Sequence, residues 1–171
     1  MTLRFTVVML AALFVLPLSA TEKVKVEKLT VKSLPAETYP LLQKGKKLSL
    51  VWKSPEFTPG RGFKVGEVSW KADDRLGEVT PYLKAQIAEI ASASGFYTVD
   101  LAVTEAKASS TSWHGHTTHG YYLLEGRVKD GEGKVVAAFV TKEEHEQVGF
   151  DETLKPGIDR TVSGIASELF K

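Results

Sequence analysis

The chain has 171 residues, with 22 Lys and Arg against 21 Asp and Glu, four His and no Cys. Its length suits a single domain with a core of its own, without disulfide staples. The missing cysteine excludes disulfides and the lipid-modified cysteine of a bacterial lipoprotein, and the missing asparagine excludes N-glycosylation.

Arg4 precedes an apolar run from Phe5 to Leu16, Pro17 breaks it, and Leu18-Ser19-Ala20 ends it with small residues. This pattern predicts a secretory signal peptide over 1–20, cleaved after Ala20, and one domain over 21–171 that is periplasmic or secreted. A membrane span needs about 20 apolar residues, more than this run supplies, and no later stretch is long enough. Once Arg4 is removed the chain is formally neutral, so no nucleic-acid partner is expected. The charges are unevenly placed: residues 21–71 hold 11 basic and 5 acidic side chains, residues 72–171 hold 10 and 16. Two readings fit this asymmetry. Lys23, Lys25, Lys46 and Lys47 form a basic face suited to anionic lipid or sugar, or the two halves complement each other within the fold.

From the new N-terminus, Lys23 to Lys32 reads as a bulged strand and Ala36 to Gly45, interrupted by Pro40, as a connector with no more than a helical turn. Lys47 to Lys53 is a strand with Leu48, Leu50 and Trp52 on one face and Val51 on the other. After a Pro/Gly loop, Phe63 to Trp70 is an edge strand with a bulge at Gly66. Thr80 is the expected N-cap of a helix beginning at Pro81, whose apolar stripe is Leu83, Ile87, Ile90, Ala91 and Ser94. Gly95 is expected to close it in a left-handed conformation before Tyr97, Val99, Leu101 and Val103 alternate as a strand.

Ala106 to Thr118 is polar, and regular structure resumes at Gly120. Tyr122, Leu124 and Val128 mark a strand, 129–133 a turn, and Val136, Ala138 and Val140 the returning arm of a hairpin. A last helix runs roughly from Pro156 to Phe170, with Ile158, Val162, Ile165, Ala166 and Leu169 on its buried stripe. The order β-β-β-α-β-β-β-α predicts an α+β domain, with a mostly antiparallel sheet of about five to six strands and two helices on one face. The other face is left open or partly closed. In Ile87 to Val99, Leu124-Glu125-Gly126 and Gly133-Lys134-Val135-Val136-Ala137 the chain resembles a group of small exported bacterial proteins, over roughly residues 47–170. Many of that group have no assigned role and others act as envelope assembly or accessory domains. The resemblance therefore implies a compartment and an architecture.

Three of the four histidines fall in Trp113-His114-Gly115-His116-Thr117-Thr118-His119, and the fourth is His145. Imidazoles at i and i+2 can converge on one ion, with a third three residues on and His145 or water completing a set for Zn, Cu or Ni. The bland alternative is a polar loop of solvated histidines. Other enzymatic signatures are missing: His145-Glu146-Gln147-Val148-Gly149 lacks the second histidine of a zinc-protease motif, and no G-x-S-x-G, S-x-x-K or phosphate-cradling G-x-x-x-x-G-K-S/T occurs. Asp73-Asp74 reads as turn or capping chemistry, Glu143, Glu144 and Glu146 as a solvated acidic run, and Trp52 and Trp70 as core or sheet-face residues. The expected function is a non-enzymatic binding or accessory module of the envelope, contacting an envelope protein or an anionic envelope polymer. The alternative is a transition-metal-binding protein.

Overall fold

The computed structural model describes residues 34, 36–70, 79–107, 110–111, 117–118, 120–145 and 155–171. The expected leader, the first expected strand, Asp73-Asp74 and Trp113 lie outside these residues. A 3-10 helix at Ala36–Leu41 precedes β1 (Gln43–Lys44), β2 (Leu50–Lys53) and β3 (Phe63–Trp70). Helix α1 (Val79–Ile90) then leads to β4 (Tyr97–Lys107), the short strands β5 (Ser110–Thr111) and β6 (Thr117–Thr118), β7 (Gly120–Lys129) and β8 (Val135–His145). The chain ends in α2 (Lys155–Gly164) and a π-helical turn, Ile165–Leu169.

Six strands form one sheet in the order β1-β2-β8-β7-β4-β3, while β5 and β6 pair with each other. The architecture is the expected α+β domain, but the sheet is mixed: β3 lies parallel to β4, and the other pairings are antiparallel. The cause is α1, which carries the chain from the end of β3 back to the start of β4, so the two strands run the same way.

Both helices pack on one face. Val79, Leu83 and Ile87 of α1 meet Ile158 and Val162 of α2, Ile165 and Leu169 of the final turn, and the inward residues Tyr97, Val99, Leu101, Val103, Tyr122, Leu124 and Val128. The period-2 alternation of β4 and the 3.6-residue spacing of α2 therefore match what the side chains bury. Three local expectations around α1 do not hold. Val79, fully buried, is already helical, so Thr80 is not the N-cap, and its hydroxyl has no hydrogen-bond partner among the described residues. Ile90, the last residue of the helix, is 39% exposed. Gly95 is not left-handed. It is required by close approach instead, since a Cβ there would lie 2.3 Å from the Phe63 carbonyl carbon. That contact is fixed by Ser92 N–H donating to the Phe63 carbonyl at 2.8 Å.

The opposite face is partly closed. Leu34 and Leu42 pack with Leu50, Leu123, Ala138 and Val140, and Trp52 lies against them. Two residues sit on the side opposite to the one expected. Leu48 joins the helix-side core because β2 begins only at Leu50, and Val136 does so because a bulge opposite Val128/Lys129 shifts the hairpin register. Further along, Asp100 is buried on β4 opposite Arg127. It accepts from the Glu67 N–H at 3.0 Å and pairs with Lys129 at 2.6 Å. Burial pushes its pKa up, but these partners, with Arg127 nearby, outweigh that and hold it below the usual carboxylate value. The Glu67 bond pins the expected bulge in β3, between Val65 and Val68, on an edge strand as foreseen.

Candidate anion-binding edge

The other edge of the sheet is built differently. Gly45 N–H donates to the Ser49 carbonyl at 3.2 Å, closing a turn in which the next three N–H groups are left free of strand partners. A Cβ on Gly45 would lie 2.3 Å from the Leu48 carbonyl oxygen, so the turn is tight enough to require glycine. The three N–H groups converge on one carboxylate. Lys46 donates to Glu168 at 2.8 Å, Lys47 at 2.8 Å and Leu48 at 3.0 Å. Such a row of backbone donors is an anion-binding concavity, and here its occupant is a side chain of the π-helical turn. The Lys53 ammonium donates to the Glu168 main-chain carbonyl from the other side. Burial raises the Glu168 pKa, but the Leu48, Lys47 and Lys46 N–H groups and the Lys53 charge more than offset it, leaving the carboxyl below its ordinary value.

With the Glu168 charge held by main-chain donors, the Lys46 and Lys47 ammonium groups are not paired with it. Lys46, Lys47 and Lys53 line a shallow depression of about 260 Å³ together with Ser167 and Glu168. A second depression of about 260 Å³ is lined by Leu41, Gln43, Lys44, Val51, Trp52 and Lys53. The two meet at Lys53 and wrap the β1–β2 edge. Lys44, Lys46 and Lys47 are exposed, and none is in an ion pair with a described residue. Trp52, half-buried, lines the second depression with Leu41, which is 45% exposed.

No protein-family model matches the chain, and no curated protein matches it either.

Of the residues singled out from sequence, Lys46 and Lys47 are brought into this edge, whereas Lys23 and Lys25 lie outside the described residues. Lys44, Lys53, Trp52 and Glu168 were not foreseen there. Lys44 and Lys53 carry a sequence signal, since both flank the Lys46-Lys47 pair within the basic first half. Glu168 carries none, because it is distant in sequence and belongs to the acidic half. His114, His116 and His119 lie outside the described residues, and His145 is described only by its backbone, paired with Gly120. Among the described residues no group of three or more His, Asp or Glu is placed to hold a metal ion.

The acidic run is not simply solvated. Glu143 is only 17% exposed and accepts from Arg160 of α2 at 3.0 Å, because alternation turns it toward the helix side, while Glu144 points away and pairs with Lys142 at 2.6 Å. Glu146 lies outside the described residues. The polar stretch 106–118 also differs from the loop expected, since β4 continues to Lys107 and Ser110–Thr111 pairs with Thr117–Thr118.

Proposed function

We propose that this protein is an exported, non-enzymatic binding or accessory module of the cell envelope, and that its β1–β2 edge contacts an anionic envelope component. The observation that carries this reading is the set of Lys44, Lys46, Lys47 and Lys53 around two joined depressions where, among the described residues, the one lining carboxylate is taken up by backbone N–H groups. Strand addition by a partner is a poorer use of the sheet. Its β1 edge is two residues long and bears Lys44, and its β3 edge is bulged, both devices that blunt edge pairing. Among the described residues no helix is long and apolar enough to cross a membrane.

Retention on immobilised dextran sulfate tests this. Binding should weaken between low salt and about 0.15 M, where the Debye length is roughly 8 Å, and should fall sharply in a Lys44→Glu/Lys46→Glu/Lys47→Glu variant. Salt-independent retention, or retention unchanged by the variant, overturns it.

A second reading, transition-metal binding, draws on the β7–β8 register. His145 stands opposite Gly120, the residue that follows His119 in sequence. Neutral imidazole would bind Zn, Cu or Ni, so uptake should decline as pH drops through about 6.5. Titrating zinc or copper into tag-free protein and into a His114→Ala/His116→Ala/His119→Ala variant decides it, and equal weak uptake by both discards it.

A further inference from the structure

We infer that the anionic component met by this edge is a phospholipid surface, bound peripherally by an apolar tip flanked by lysines; this rests on the binding reading above. Pro40 and Leu41, at the end of the 3-10 helix, are exposed, and Leu41 shares its depression with Trp52. Charge attraction alone does not call for an exposed leucine beside a half-buried tryptophan. A bilayer interface does, because apolar side chains enter the headgroup boundary while indole rings sit at headgroup depth. Lys44 and Lys53 line the same depression, and Lys46 and Lys47 continue the charge around Lys53. Two lysines therefore share the depression of Leu41, and two more line the depression that adjoins it at Lys53. Glu37, at the start of the 3-10 helix, lines neither depression.

Apolar burial and charge attraction act together in such contacts, so the surface should prefer anionic over zwitterionic bilayers and lose about fivefold in affinity for each lysine removed. The exported protein is mixed with vesicles of phosphatidylglycerol in phosphatidylcholine, with phosphatidylcholine vesicles alone, and with soluble dextran sulfate. Cosedimentation and tryptophan emission are the readouts. The expected result is cosedimentation with the anionic vesicles only, accompanied by a blue shift that a Trp52→Phe variant loses. Leu41→Ser should reduce vesicle binding several-fold while leaving dextran sulfate binding intact. Binding to dextran sulfate without binding to vesicles would overturn the lipid assignment and leave the basic edge standing. Equal binding to both kinds of vesicle, or no effect of Leu41→Ser on vesicle binding, overturns it as well. Failure to bind either vesicles or dextran sulfate removes the edge itself as an anion site.

Discussion

Glu168 ties three parts of the chain together: the turn after Gly45, the end of β2 at Lys53, and the π-helical turn Ile165–Leu169 to which it belongs. A neutral amide in its place keeps an acceptor oxygen but loses the charge that strengthens each bond. Glu168→Gln should lower stability at neutral pH by roughly 1–2 kcal/mol, less than three charge-assisted bonds would suggest, because the partly exposed carboxylate is screened by water. Urea unfolding measures this. The sign of the pH effect follows from the lowered pKa. The Glu168 contribution is fully present above the unfolded carboxyl value, about 4.3, and is lost as pH falls through the lower folded value. The stability difference between native protein and Glu168→Gln should therefore close on acidification below about pH 4. A difference that stays constant across that range would mean the carboxylate is not what the N–H groups hold.

At the scale of elements, alternation and helical spacing in the sequence match the core. Tyr97, Val99, Leu101 and Val103 are buried in the order their pattern implies, and Ile158, Val162, Ile165 and Leu169 follow the stripe of the last helix. What the pattern misses has a local cause. The helix passes into a π-helical turn at Ile165, which no period in the sequence announces, and Phe170 beyond it stacks on Phe63 with ring centroids 4.4 Å apart. Leu48 and Val136 sit on the unexpected side because a turn and a bulge reset the parity, and neither leaves a mark in apolar spacing. The parallel β3–β4 pairing likewise depends on where α1 returns the chain rather than on either strand's composition. Removing the chain from Ile165 onward would strip the fully buried Ile165 and Leu169, each worth about 1.5–3 kcal/mol, from a total stability of about 5–15 kcal/mol. Thermal unfolding of that truncated protein should lose its cooperative transition, and a sharp melt within a few degrees of the native one would contradict the packing described.

For the molecule as a whole, ion pairs among the described residues do not offset the charge asymmetry between the first and second halves of the sequence. Their one pair across the halves, Lys134 with Glu56, joins the minority charge of each half, and Glu168 of the acidic half is taken by the backbone of Lys46 to Leu48. Lys44, Lys46 and Lys47 are in no ion pair with a described residue, and of the basic face read from the sequence Lys46 and Lys47 lie on this edge while Lys23 and Lys25 are outside the described residues. The sequence marks Lys46 and Lys47 as neighbours, but only the fold adds Lys53 and Trp52, by running β2 back past the turn. The measurement that bears most directly on this edge is residue-resolved: amide and indole shift changes in ¹⁵N-labelled protein titrated with soluble dextran sulfate at low salt. Changes concentrated at Lys44, Lys46, Lys47, Lys53 and the Trp52 indole, fading as salt is raised, are the predicted result; changes centred on the β3 edge or the helix face, with residues 44–53 unmoved, would contradict it.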